Sequence, residues 1–96
     1  MKQVILFKGS SCAPCKVFEP VFFKIMEEHG AELNLHVETD NHALMSKYGV
    51  RAVPTVVMAH ILPDGKEEVE QILTGAIRSK TLEDAVHRFK HSVAGE

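Results

Sequence analysis

The chain has little of what would indicate a membrane or a nucleic-acid partner. It contains no tryptophan, one tyrosine and two cysteines among 96 residues, and the apolar run near its start, Val4 to Phe7, is only four residues long. That run is too short for a signal peptide or a membrane span. The net charge of -2 offers no general attraction to nucleic acid or to an anionic membrane, so neither is expected as a partner.

The apolar content of 45% is enough for a hydrophobic core, which predicts a single domain over residues 1–96. No linker, internal repeat or low-complexity segment is visible. Without a targeting segment the chain is expected to be cytoplasmic, where thiols are kept reduced. In that compartment a cysteine pair is more often catalytic or metal-binding than structural.

The first half of the chain predicts a strand, a helix and a second strand. Residues 3–8 form a short apolar run, and residues 33–39 alternate apolar and polar side chains. Between them, helical spacing runs from Ala13 to about His29 and ends at Gly30. The apolar stripe of this helix consists of Val17, Phe18, Val21, Phe22, Ile25 and Met26.

The second half predicts a short helix, a hairpin and a last helix. Asp40 or Asn41 can cap the short helix, and residues 63–65 (PDG) turn a hairpin. The spacing of Thr81 and Asp84 predicts a capping box that opens the last helix. The expected fold is α/β, a four-stranded mixed sheet flanked by helices in the order βαβαββα.

Both cysteines lie where the first strand passes into the helix. Cys12 should face the unpaired N–H groups and the positive end of the helix dipole, which favour thiolate. Cys15 lies one turn inside, where it should be shielded yet close enough to form a disulfide with Cys12. Pro14 suits the first turn and stiffens the loop between the two sulfurs. The pair suits a two-step exchange in which Cys12 attacks a disulfide and Cys15 resolves the mixed disulfide.

A zinc site is the alternative for a Cys-x-x-Cys pair. His87 and His91 are the histidines at ligand-like spacing, but they follow the cysteines at far more than zinc-finger distance. Both are expected to be solvated on the outer side of the last helix. His60 is assigned nothing beyond an ordinary surface or strand-edge position, and the acidic cluster of residues 67–70 is interpreted as protection of a sheet edge.

The ordered set of CAPCK at residues 12–16, Pro20, KYGVRAVPT at residues 47–55 and Gly75 resembles the thioredoxin family. The resemblance covers nearly the whole chain, from Val4 to about residue 91. Because the family's usual first strand and helix are missing, the chain is similar to a short, phage- or plasmid-like form.

The resemblance implies a thioredoxin fold and a protein-disulfide reductase that needs no metal or bound cofactor. It implies that Pro54 is a cis-proline beside the cysteines, that the backbone of Val53 pairs with an incoming substrate strand, and that Gly75 leaves room for that strand. The partners it implies are protein disulfides and a source of electrons, either a thioredoxin reductase or a small thiol. A monomer is expected.

The chain departs from the family pattern at four positions around the cysteines. Lys8 and Ser11 stand where the family has tryptophans. Leu6 stands where the family has a buried aspartate, and His36 stands, with a one-residue gap, where it has the companion lysine. The substrate groove is therefore expected to be more polar than usual.

These departures suggest two hypotheses about the cysteines. Lys8, leaning over the loop, would supply positive potential to Cys12, and His36 would assist Cys15 near neutral pH. The alternative for His36 is simply the polar face of a half-exposed strand, and this second interpretation has more weight.

Two other functions remain open. The stretch VILFKGSSCAPC at residues 4–15 also resembles a glutaredoxin front end, but AIRSKTLED after Gly75 lacks that family's glutathione-binding glycine pair. A glutaredoxin-like, glutathione-dependent reductase therefore ranks second. The third candidate is a non-catalytic thioredoxin-fold module that only binds a partner.

Overall fold

The computed structural model of the chain describes residues 1–95. Its elements are β1 (Lys2–Lys8), α1 (Ala13–His29), β2 (Asn34–Thr39), α2 (His42–Lys47), β3 (Thr55–Ile61), β4 (Glu67–Thr74) and α3 (Ser79–His91). The strands form one sheet in the order β2-β1-β3-β4. β1 pairs with β2 in parallel and with β3 antiparallel, and β3 forms a hairpin with β4. The predicted fold is confirmed.

β1 is an inner strand of the sheet, and both of its faces are covered. Val4 and Leu6 belong to a large core cluster shared with α1 and α3, whereas Ile5 and Phe7 belong to a smaller cluster shared with α2. All four side chains are at most 1% exposed. A strand that is apolar on both faces is what a continuous run of large apolar residues favours.

α1 begins and ends where the sequence predicts. Phe18 and Phe22 lie at the centre of its buried face, but Val17, predicted to share that face, is 72% exposed. Gly30 ends the helix with a negative φ of -102°. A Cβ atom there would lie 2.6 Å from Cε and 2.7 Å from the carbonyl oxygen of Met26, so this position requires glycine for lack of space.

The predicted apolar face of the second strand is only partly buried. Leu35 is 37% and Val37 41% exposed, because β2 is an edge strand with a neighbour on one side only. Leu33, which the alternation placed inside the strand, precedes it and packs on the large core cluster.

The helix caps are partly as predicted. The Asn41 side chain accepts a hydrogen bond from the N–H of Leu44 at 3.0 Å, which caps α2. The capping box at Thr81 is wrong, because α3 already begins at Ser79 and its cap residue, Arg78, makes no side-chain capping bond. No helix within residues 1–95 has the length and apolar character needed to cross a membrane.

Candidate active site

The two cysteines lie at the carboxyl end of β1 and are joined as a disulfide. Cys12 is the cap residue of α1, and its extended backbone (φ -127°) lets its sulfur accept a hydrogen bond from the N–H of Cys15 at 3.1 Å. The two Cα atoms are 5.2 Å apart, well within disulfide reach. The same N–H and the helix dipole would stabilise negative charge on the Cys12 sulfur once the bond is reduced.

The sulfurs differ in access. Cys15 is 0% exposed, whereas Cys12 retains 8% exposure. The residues around Cys12 are exposed, including Ser11 and Pro14, the latter in the first turn of α1. Of the two cysteines, only Cys12 is therefore in contact with solvent.

Of the three residues that the family resemblance assigned to substrate binding, Val53 contacts Cys12, and Pro54 and Gly75 are linked to Val53 through the backbone. The carbonyl oxygen of Val53 lies 3.7 Å from the Cys12 sulfur, and the Val53–Pro54 peptide bond is cis. The N–H of Gly75 donates to the carbonyl oxygen of Pro54 at 2.8 Å. Gly75 has a φ of +90° and open space where a Cβ would be, so its conformation is what favours glycine. The fold thus connects Cys12 to Val53 by contact, and Val53 to Pro54 and Gly75 by a cis peptide bond and a hydrogen bond.

Lys8 does not reach over the loop as hypothesised. Its Nζ lies 2.7 Å from Oε1 of Glu19, which is one helical turn after Cys15. Lys8 follows Leu6 by two residues and therefore lies on the sheet face that α1 covers. The ion pair with Glu19 opposes the hypothesis that Lys8 supplies positive potential to Cys12, because the Glu19 charge offsets that of Lys8.

His36 lies on the wrong face to assist Cys15. It is exposed and pairs in register with Ile5, whose side chain belongs to the cluster on the α2 side. Leu6, at the position of the family's buried acid, belongs to the opposite cluster. Cross-strand partners share a face, and a one-residue offset along a strand reverses it, so the sheet separates His36 from Cys15.

Asp40 is a site residue that the sequence analysis missed as such. Its Oδ1 accepts a hydrogen bond from the N–H of Ser10 at 3.2 Å, and its own N–H donates to the carbonyl oxygen of Lys8 at 3.0 Å. Hydrogen bonds from the side chain and backbone of Ser10 hold the pKa of Asp40 below its usual value. Asp40 has a φ of +51°. Aspartate tolerates that conformation better than most residues. An aspartate directly after a predicted strand was therefore the feature of the sequence that could have pointed to this residue.

Comparisons with known proteins agree with this geometry. The family model for thioredoxin matches residues 1–88. The chain is 31% identical over 80 residues to thioredoxin of Porphyra purpurea, covering 81% of the chain and 70% of that protein. It is 36% identical over 90 residues to thioredoxin H2-1 of Oryza sativa subsp. japonica, covering 93% of the chain and 61% of that protein.

A solved structure supports the same conclusion. The X-ray structure of Fasciola hepatica thioredoxin superposes with a TM-score of 0.72 at 27% identity, covering 92% of this chain and 80% of that one. The chain belongs to the thioredoxin family. Its adjacent Cys12–Cys15 pair fits a thiol-disulfide oxidoreductase, and the family acts in general on protein disulfides together with a reductase.

Proposed function

We propose that this chain reduces protein disulfides by cycling its own dithiol. The observation that carries the proposal is the difference in access, with Cys12 partly exposed at the helix start and Cys15 fully buried behind it. A nucleophile with some solvent access and a fully shielded partner are what a two-step exchange needs, because the second thiol must attack the first without reacting with solvent species.

In the first step the Cys12 thiolate attacks one sulfur of the substrate disulfide. A Cys12–substrate disulfide forms, and the other substrate sulfur leaves as a thiolate. In the second step Cys15 loses its proton and attacks the Cys12 sulfur, which closes the Cys12–Cys15 bond and releases the second substrate sulfur. Two electrons pass from the dithiol to the substrate, and a thioredoxin reductase or a small thiol restores the dithiol.

The surface beside Cys12 suits an extended substrate segment. The carbonyl of Val53 lies 3.7 Å from the Cys12 sulfur, and Pro54 and Gly75 hold the adjacent backbone in place by their mutual hydrogen bond. A strand laid along Val53 would pair with its backbone and present a disulfide to Cys12.

Trapping tests the proposal. A Cys15→Ser variant should accumulate mixed disulfides with substrate proteins, and Cys12→Ser, the matched control, should not. Equal behaviour of the two variants would favour a module that only binds. Glutathione attached to Cys12, with glutathione as the required reductant, would instead favour a glutaredoxin-like enzyme.

A redox titration completes the test. The purified protein is equilibrated in buffers of increasing potential, quenched with acid and thiol-tagged for mass spectrometry. We expect a single two-electron transition of the Cys12–Cys15 pair near the reducing end. Since about 30 mV corresponds to roughly 1.4 kcal/mol in this couple, a much more oxidising transition would indicate an oxidant or isomerase.

A further inference from the structure

Three basic side chains without partners are close in sequence to the residues of the proposed substrate-binding surface. Lys16, Arg51 and Arg78 are all exposed, and within residues 1–95 none of them makes a side-chain hydrogen bond or an ion pair. Some lysines elsewhere are paired with acids, among them Lys47 with Glu67 at 3.4 Å and Lys80 with Asp84 at 3.1 Å, so the three are set apart by their place near the site as well as by their lack of a partner. We call Lys16, Arg51 and Arg78 the basic rim.

Each member of the basic rim is close in sequence to a site residue. Lys16 is four residues after Cys12, which places it on the same side of the first turn of α1, and helical side chains lean back toward the N-terminus. Arg51 is two residues before Val53, so at most about 7 Å of chain separates their Cα atoms. Arg78 is three residues after Gly75, at the start of α3.

The acids near the site are already engaged within the chain. Asp40 accepts from the N–H of Ser10 at 3.2 Å, Glu19 is paired with Lys8 at 2.7 Å, and Glu38 accepts from Asn41 at 3.5 Å. Of these three acids only Glu19 is paired with a cation, whereas Asp40 and Glu38 keep their negative charge, and none of the three forms an ion pair with the basic rim. A chain with a net charge of -2 thus has, close in sequence to the site residues, three basic side chains without an ion-pair partner in the part of the chain that the structure describes.

Arg51 also borders a hollow that an acidic side chain could enter. The hollow has a volume of about 420 Å³ and is lined by residues that include His42, Ser46 and Arg51. Its floor contains Met45 and Val50, which are nearly buried. A carboxylate in this hollow would meet the guanidinium of Arg51, a group suited to bidentate carboxylate binding.

We infer that the substrate disulfide of this protein lies in an acidic segment, whose carboxylates pair with Lys16, Arg51 and Arg78 while Cys12 attacks the disulfide. This inference rests on the proposed function. The ligand of the basic rim must carry a disulfide, because the rim lies beside a thiol-exchange site. We therefore take the ligand to be a protein segment. Complementary charge raises the rate of association and selects among partners more than it adds affinity.

The test uses two synthetic peptide disulfides that differ only in their flanking residues, glutamate in one and lysine in the other. Dithiothreitol recycles the protein, and kcat/KM is measured for both peptides. We expect about a tenfold preference for the acidic peptide, the size expected of a few exposed ion pairs acting together. The preference should fall as ionic strength rises, because salt screens exposed charges.

Charge reversal then locates the effect. The combined variant Lys16→Glu, Arg51→Glu, Arg78→Glu should lose or reverse the preference. Because the readout is a ratio between two peptides, a general loss of activity cancels. Arg51→Glu alone should lower the ratio, while its matched control Lys66→Glu, an equal charge reversal in the turn between β3 and β4, should not.

The outcomes separate this inference from the proposed function. Equal reduction of both peptides by the unmodified protein, or a preference that survives in the combined variant, would overturn the role of the basic rim and leave the reductase intact. Failure to reduce either peptide or the small neutral hydroxyethyl disulfide would overturn the proposed function itself.

Discussion

At the cysteine end of the sheet, the basic rim is exposed and unpaired, whereas at the opposite end one ring nitrogen of a buried histidine has two polar partners. His60 is 7% exposed, and its Nε2 lies 2.9 Å from Glu70 Oε1 and 3.2 Å from Ser92 Oγ. Its ring meets that of Phe89 edge-on, with centroids 5.1 Å apart. This cluster ties the end of α3 to β3 and β4.

A β-bulge makes the histidine cluster possible. Met58 pairs with Gln71 and Ala59 with Val69, so Glu70 is the extra residue of β4. Bulges re-aim side chains in this way. Burial raises the pKa of Glu70, but hydrogen bonds from Ser92, His60 and Gln71 and the charge of His60 outweigh it and hold the pKa below its usual value.

The histidine cluster and the basic rim differ in what their polar groups contribute, stability in the first case and recognition in the second. A buried polar group must be paired to be tolerated, so the histidine cluster contributes to the fold. An exposed charge without a partner contributes little to stability and stays available to a ligand. We therefore expect substitutions at the far end to change unfolding and those at the cysteine end to change reactivity.

The largest effect on stability should come from the far end. Phe89→Ala removes a fully buried ring and should lower the free energy of unfolding of the oxidised protein by about 3–5 kcal/mol, as measured by urea denaturation. Val17→Ala, on the exposed face of α1 close to the cysteines, should change it by less than about 0.5 kcal/mol. Similar losses of unfolding free energy in the two variants would contradict the expected difference between the two ends of the sheet.

His60→Ala should have the next largest effect. It leaves Glu70 and Ser92 without their buried partner and should cost about 1–3 kcal/mol at neutral pH. Because the pKa of Glu70 is lowered in the fold, its contribution is present above the unfolded value and is lost as pH falls through the folded value. The free energy of unfolding of the variant should therefore fall less steeply at acid pH than that of the parent. An unchanged slope would contradict the stabilising contact between His60 and Glu70.

Tyr48→Phe should have a smaller effect, about 1 kcal/mol at neutral pH. The Tyr48 hydroxyl donates to Glu67 at 2.8 Å, and burial, this hydrogen bond and the Glu67 charge raise the pKa of Tyr48 to about 12. The stabilisation is fully present below the unfolded pKa of 10.0 and is lost as pH rises toward 12. Tyr48 is the only tyrosine, so tyrosinate absorbance reports its titration directly. A Tyr48 pKa near 10.0 would contradict the hydrogen bond to Glu67.

Asp40 should affect stability least and cysteine reactivity most. A Cβ at Gly9 would lie 3.3 Å from Cys12 Cβ and 3.5 Å from Asp40 Oδ1, so this carboxylate lies close to Cys12. Removing its charge eases thiolate formation, and reduced Asp40→Asn should react several-fold faster with iodoacetamide at neutral pH. Asp40→Ala removes both the charge and the acceptor for the Ser10 N–H. Comparing it with Asp40→Asn, which keeps an acceptor oxygen, separates the effect of the charge from that of the hydrogen bond that supports the loop. Slower alkylation of Asp40→Asn would contradict the electrostatic effect.

Prediction from the sequence succeeded where the cause is local. The helix from Ala13 to His29 and the turn at residues 63–65 depend on residue spacing within one element and on turn residues. Prediction failed where the cause lies across the sheet. Val17 shares helical spacing with core residues, yet only packing against the sheet decides how wide the buried stripe is.

The order of elements and the place of Cys12 and Cys15 at a strand-to-helix junction could be predicted from the residues alone, because both follow from patterns within a few residues. The pairing of Lys8 with Glu19, the orientation of His36 away from Cys15 and the burial of His60 beside Glu70 could be found only in the folded chain. Each of these depends on strand register or on the docking of a helix onto the sheet. In a sheet, a shift of one residue reverses the face of every side chain, and the pattern within one strand does not say which residues of another element it will meet.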